Sequence, residues 1–108
     1  MCVRDRDKVN GTTTENTMLL AKYLADRNNE SDAIILVGEM GEAAKPLLNA
    51  LCKKLESNEA SIRENALIAL EKLGTMAAGK ASNVRDLLDD EDILIRAAAE
   101  DCLERITK

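Results

Sequence analysis

The sequence predicts an all-α fold, namely an α-solenoid of about three antiparallel helix pairs. The main observation is an internal repeat, in which the pattern of Ile62–Leu73 returns thirty-three residues later as Ile95–Ile106. A fixed period of this length is typical of a solenoid, where each unit buries its apolar face by stacking on its neighbours. The composition agrees, because one Pro and five Gly among 108 residues leave few helix breakers. Tyr23 is the only aromatic residue, so a core must be aliphatic.

The two clear copies of the repeat agree at seven positions in one register. The matched pairs are Ile62/Ile95, Arg63/Arg96, Ala66/Ala99, Leu70/Leu103, Glu71/Glu104, Lys72/Arg105 and Leu73/Ile106. A weaker third copy precedes them at the same offset, with Ala33, Val37, Met40, Gly41 and Ala44. We therefore expect a flexible N-terminal leader followed by a single domain of three units. The leader is 1–13, the domain is 14–108, and the units are about 14–41, 42–74 and 75–108.

The first unit contains two predicted helices. Apolar residues recur at helical spacing over 18–25, which predicts the first helix. The second helix is expected over Ala33–Met40, with Ser31 or Asp32 as its cap. Gly41 follows the last apolar position and is expected to end this helix.

The second and third units repeat this arrangement. Pro46 is suited to the first turn of the third helix, where no backbone donor is lost. The fourth helix is expected over Glu59–Leu73, with Gly74 ending it. The fifth helix begins somewhere in 75–82, and the sixth is expected over Asp92–Ile106 after an acidic turn.

These motifs resemble HEAT-repeat units. The resemblance is carried by Ile95-Arg96-x-x-Ala99-x-x-x-Leu103 after the run Leu87–Asp92, and by the same pattern over Ile62–Leu73 with Gly74 behind it. It implies antiparallel helix pairs stacked in a right-handed superhelix, with the second helix of each pair lining the concave side.

The resemblance also implies a hydrogen-bonded ladder between units. In such a ladder an Asp in the turn of one unit bonds the Arg that opens the second helix of a neighbouring unit. Arg63, Asp90 and Arg96 match these positions. Ser57 replaces the Asp of the middle unit and Glu30 replaces the Arg of the first, so the ladder is expected to be incomplete.

Composition excludes several classes of function. The chain has no histidine, which removes His-ligated iron sites, most zinc sites, and Ser-His or Cys-His nucleophile pairs. Three widely spaced cysteines, Cys2, Cys52 and Cys102, predict reduced thiols instead of a disulfide framework or a zinc site. Cys102 is expected to be a small buried hydrophobe. We expect no enzymatic activity, no metal and no cofactor.

Charge and hydropathy restrict the partner and the location. The net charge is −5, and residues 86–108 hold eight acidic and three basic side chains. An acidic surface repels phosphate backbones and prefers a basic partner, so we expect a protein partner and no nucleic acid. The longest apolar run, Ala33–Val37, is far below the roughly 20 residues that cross a bilayer. No membrane contact and a cytoplasmic location are expected.

The leading hypothesis is a non-enzymatic protein-interaction or assembly scaffold that uses the outward stripe of the second helices. The residues of this stripe are Ile35, Gly38, Glu64, Ile68, Glu71, Ala97, Asp101 and Glu104. The alternative role of Ile35 and Ile68 is packing between adjacent second helices, with Asp101 marking the solvent-facing end.

Two further hypotheses remain open. One is a homodimeric structural module, because Met18, Leu20, Ile34 and Ile35 in the first unit have no preceding repeat to cover them. The other is an accessory subunit related to HEAT-type bilin lyases, which the family resemblance implies. Bound pigment would then colour the protein.

Overall fold

The structure is a computed structural model that describes residues 18–107. Within this range the chain is α-helical and 3₁₀-helical, and it forms no β-strand. The predicted leader, residues 1–13, lies outside the described residues. The all-α prediction is therefore confirmed for the described part of the chain.

The α-helices alternate between short and long elements. They are α1 at residues 18–24, then α2 (Glu30–Glu39), α3 (Leu48–Lys53), α4 (Ala60–Leu73), α5 (Ala81–Arg85) and α6 (Ile93–Ile106). Segments of 3₁₀-helix flank α3 and α5, at Gly41–Leu47, Lys54–Glu56, Gly74–Lys80 and Asp86–Asp89. The first helix of the second and third units is thus a short α-helical piece between two tighter turns.

The helix boundaries agree with the sequence most closely where the repeat is strongest. Both α4 and α6 begin one residue after the predicted start and end where predicted. In contrast, α2 begins at Glu30, three residues earlier than expected, and neither Ser31 nor Asp32 caps it. The reason is the turn before it, in which the carboxylate of Asp26 accepts hydrogen bonds from the backbone N–H of Asn28 and from Nδ2 of Asn29, both at 2.9 Å. Pro46 lies inside a 3₁₀ segment and does not open an α-helix.

Two of the long helices, α2 and α4, are followed by a glycine with a positive φ. Gly41, just after α2, has a φ of 64°, and Gly74, just after α4, has a φ of 63°. This left-handed region costs a residue with a Cβ roughly 1–2 kcal/mol, and glycine avoids that cost. The prediction that Gly41 and Gly74 terminate their helices is confirmed.

The core repeats with the sequence. Helix α4 packs against α2 and against α6. Residues thirty-three positions apart are buried together, as in the sets Ala33/Ala66/Ala99, Ala44/Ala77 and Leu51/Val84. Alanine at the helix contacts lets the backbones approach closely, while the larger aliphatic side chains fill the spaces between the short and long helices. The order of the elements therefore brings α2, α4 and α6 side by side.

None of the helices in residues 18–107 is both long enough and apolar enough to cross a bilayer.

Candidate protein-interaction surfaces

An ion pair joins the second unit to the third. The Nη2 of Arg63 in α4 donates a hydrogen bond to Oδ1 of Asp90 at 3.2 Å, and its Nε lies 2.9 Å from Oδ2 without hydrogen-bond geometry. Both side chains are largely buried, with 13 % of Arg63 and 7 % of Asp90 exposed. Arg63 and its repeat equivalent Arg96 each also donate a hydrogen bond from Nη1 to the backbone carbonyl oxygen six residues earlier in the chain. The distance is 2.8 Å from Arg63 to Ser57 and 2.6 Å from Arg96 to Asp90.

A second ion pair joins the first unit to the second with the charges exchanged. The Nζ of Lys54 donates a hydrogen bond to Oε1 of Glu30 at 2.8 Å. Glu30 occupies the position of Arg63 in its unit, and Lys54 precedes Ser57 by three residues. Sequence comparison at a fixed offset missed Lys54 because it does not align with Asp90. The signal that could have found it was the acid at position 30, which requires a cation from the next unit.

A groove of about 250 Å³ lies between α2 and α4. Its walls, which define the α2–α4 groove, are Ile35, Asn65, Ile68, Ala69 and Lys72. The side chains of Ile35 and Ile68 are 46 % and 41 % exposed, although both are large and aliphatic. The Nζ of Lys72 lies 3.6 Å from Oε2 of Glu39. The groove is thus mainly apolar, and Lys72 in its wall forms an exposed ion pair with Glu39.

Gly38 does not belong to the exposed stripe in which the sequence placed it. It is buried, and a Cβ built on it would lie 2.9 Å from the Cα and 3.0 Å from the Cβ of Ala69 in α4. Real Cβ atoms do not approach backbone this closely, so only glycine permits the present distance between α2 and α4. Gly38 is therefore a helix-contact residue, and its wheel position alone did not show this because the neighbouring helix sets its burial.

The remaining residues of the predicted stripe lie on α4 and α6 with different exposures. Glu64 and Glu71 are half-buried, and Oε2 of Glu71 lies 3.7 Å from Nε of Arg105. Ala97, Asp101 and Glu104 are exposed on α6. The stripe thus changes from aliphatic at Ile35 and Ile68 to acidic at the third equivalent position, Asp101.

A larger groove of about 540 Å³ lies at the first unit, between α1 and α2. Its walls, which define the first-unit end face, are Leu19, Leu20, Tyr23, Leu36, Glu39, Met40 and Ala43. The sequence predicted an uncovered apolar end here but assigned it partly to the wrong residues. Leu20 and Ile34 are buried in the core, and only Met18 and Ile35 of the predicted set are exposed. Leu36 and Tyr23 line this end face instead, and they are 51 % and 40 % exposed.

Both cysteines in the described residues are reduced and buried. Burial raises the pKa of the Cys102 thiol to about 12, with smaller contributions from the charges of Glu71 and Cys52. Burial also raises the pKa of Cys52, against an opposing effect of Lys80. A nucleophilic thiol requires a lowered pKa and access to solvent, so both side chains act as packing residues. In residues 18–107 no cluster of three side chains could hold a metal ion.

Comparison with protein-family models and with curated proteins found no match for this chain.

Proposed function

We propose that this protein is a short α-solenoid of three HEAT-like helix pairs that binds a protein partner on the face formed by α2, α4 and α6. Support for the stacked arrangement comes from bonds that recur with the repeat. One ion pair joins the first and second units through Glu30 and Lys54, and another joins the second and third through Arg63 and Asp90. Helix α4 packs between the equivalent helices of its neighbours, as the central unit of a three-unit array does.

The observation that carries the binding proposal is the exposure of Ile35 and Ile68. If these residues served only to pack adjacent helices, they would be as buried as Ala66 or Leu67, which are fully inaccessible. They are instead more than 40 % exposed along one groove. Exposed aliphatic side chains that line a shared groove are typical of binding sites for an apolar side chain of a partner.

The charges beside the groove indicate which partner fits. The repeat position that holds Ile35 in α2 and Ile68 in α4 holds Asp101 in α6. Glu104 is exposed on the same helix as Asp101. A partner helix with an aliphatic stripe for Ile35 and Ile68 and basic side chains for Asp101 and Glu104 matches this order. Such a module is non-enzymatic and holds no cofactor. Its cytoplasmic location remains a prediction from the sequence.

The test is affinity purification from the native host with matched variants of the full chain. Ile68→Glu places a charge in the α2–α4 groove, whereas Met18→Glu places the same charge at a methionine that is 66 % exposed on α1, outside the proposed binding face. We expect recovery of the specific partner to fall at least tenfold with Ile68→Glu and with Asp101→Lys, and to stay unchanged with Met18→Glu.

Far-UV circular dichroism shows whether each variant remains folded. Unchanged helicity with loss of the partner supports the groove as the binding site. Equal retention of the partner by all variants would contradict it. Loss of helicity in Ile68→Glu would assign this residue to the core, and Ile35→Glu then tests the same groove from α2.

A further inference from the structure

The single leucine of α2 occupies a repeat position that is buried in the other two units. Leu36 is 51 % exposed, whereas Ala69 at the same position of the second unit is 2 % exposed and Cys102 in the third is inaccessible. In the second unit this position is covered from the preceding unit, since Ala69 packs against the backbone of Gly38 in α2. Leu36 therefore lies on a surface of the kind that a neighbouring helix pair covers.

One other residue of the first-unit end face follows the same rule. Met40 is half-buried, but its equivalents Leu73 and Ile106 are buried. Leu19 and Tyr23 on α1 are at least 40 % exposed and line the same groove as Leu36. The end face is thus an apolar contact surface between units for which the described residues supply no neighbour.

The opposite end of the molecule cannot supply that neighbour. There the repeat replaces buried residues of the second unit by charged ones, at Cys52/Arg85 and Leu67/Glu100. Arg85 and Glu100 are exposed. A polar outer face of this kind is typical of the terminal unit of a solenoid. Head-to-tail association of two chains would bury these charges against Leu36 and Tyr23 at a large desolvation cost.

The segment that precedes α1 in the sequence is mostly polar. Residues 1–17 contain Met1, Cys2, Val3 and Val9 as their apolar side chains, and the other positions are charged residues, Asn, Thr or Gly. The wall of the end face holds one charged residue, Glu39, and its Oε2 lies 3.6 Å from Nζ of Lys72. The end face can thus associate with an identical surface without the repulsion that the acidic end would produce.

We propose that two copies of this chain associate through their first-unit end faces about a two-fold axis, with Leu36 and Tyr23 at the centre of the interface. An isologous contact of this kind uses the same surface on both copies and closes at the dimer. The charged ends then point away from each other, and the groove between α2 and α4 remains free on both copies. The association is independent of partner binding on the α2–α4 groove.

The test is sedimentation equilibrium of the full chain over a concentration range from micromolar to several hundred micromolar. We expect the mass to rise from 11.8 kDa to twice that value and to stop there. Leu36→Glu should weaken association at least 100-fold, and Leu94→Glu, at a leucine 64 % exposed on α6, should leave it unchanged. Tyr23→Glu repeats the test from α1 if Leu36→Glu loses helicity.

Three results would overturn the proposal. The first is a wild-type chain that stays monomeric over the whole range. The second is equal weakening by Leu36→Glu and Leu94→Glu, which would place the contact elsewhere. The third is a mass that continues to grow beyond the dimer, because open growth requires a head-to-tail contact.

Discussion

Lys54 donates a hydrogen bond to Glu30 at 2.8 Å, and this pair joins the first unit to the second as Arg63 and Asp90 join the second to the third. The contact between units is maintained although the first unit has an acid where the second has an arginine. Glu30 in the first unit has the opposite charge to Arg63 in the second, and Lys54, three residues before Ser57, supplies the positive charge that pairs with it. The ladder that the sequence predicted to be incomplete thus has a second ion pair formed by different residues.

The first prediction concerns the Lys54–Glu30 pair, whose side chains are only 21 % and 13 % exposed. Glu30→Lys and Lys54→Glu each leave two like charges together in a mostly buried site. Each should lower the free energy of unfolding by about 3 kcal/mol. The double variant restores opposite charges and should recover more than half of that loss. Urea denaturation followed by circular dichroism measures all four chains. A double variant as unstable as the worse single variant would show that the pair contributes no specific coupling.

The second prediction uses two residues at the same repeat position. Asp90→Ala removes the partner of Arg63 and also the acceptor for the backbone N–H of Asp92, which is 2.9 Å from Oδ1. It should cost about 3 kcal/mol, because Arg63 loses its counter-ion in a buried site. Ser57→Ala removes only the acceptor for the N–H of Glu59 at an exposed turn, and it should cost about 0.5 kcal/mol. Thermal unfolding compares the two variants, and similar losses would mean that the ion pair does not stabilise the contact between units.

The third prediction compares two glycines. Gly38→Ala places a Cβ within 2.9 Å of the backbone of Ala69, so α2 and α4 must move apart. Overpacking of this kind costs about 1–3 kcal/mol and outweighs the roughly 1 kcal/mol that alanine contributes to helix formation. Gly79→Ala meets no atom within 4 Å and should be neutral or slightly stabilising. Chemical denaturation gives the unfolding free energy of both variants. A Gly38→Ala variant more stable than the parent would indicate that α2 and α4 are farther apart at Ala69 than described.

The fourth prediction concerns the pH dependence of stability. Because the pKa of Cys102 in the folded chain is raised to about 12, its thiol stays protonated above pH 9 while the thiol of the unfolded chain ionises. The folded state then holds more protons, and its stability falls with rising pH by up to about 1.4 kcal/mol per unit. The contribution is complete below about pH 8.5 and is lost as the pH approaches 12.

A matched variant isolates this effect. Cys102→Ala, in a chain with Cys2→Ser, introduces the residue that Ala69 already supplies at the same repeat position. The difference in unfolding free energy between the chains with and without Cys102 should narrow between pH 8 and pH 10. The same chain with Cys102 present should resist alkylation at pH 8 until it is unfolded. Rapid labelling of the folded chain would contradict the burial of this thiol.

The helices that the sequence predicts best are those in which apolar periodicity and the repeat agree. For α4 and α6 both signals mark the same turns, and the glycine at 74 has a conformation that glycine alone adopts easily. The short helices were predicted less well, since the division of 41–56 into α and 3₁₀ pieces depends on packing and not on a local signal. The surfaces were also predicted in part. Wheel positions identified Ile35 and Ile68, but they could not show that Gly38 contacts Ala69 or that Leu36 is uncovered.

The central claim is that one helix pair is stacked three times, and inserting a fourth unit tests it most directly. A second copy of residues 42–74 is placed after Gly74, with Leu in place of Lys54 and Asp in place of Ser57 in the inserted copy. The third unit has Leu87 and Asp90 at these positions, so Arg63 keeps an ion-pair partner and does not meet a lysine. A solenoid accepts a whole unit, because each unit contacts only its neighbours. We expect a folded chain with more helix in proportion to its length and a urea midpoint at least as high as that of the parent. Aggregation, or a lower midpoint equal to that of a chain with the same 33 residues in scrambled order, would show instead a closed bundle that has no place for another unit.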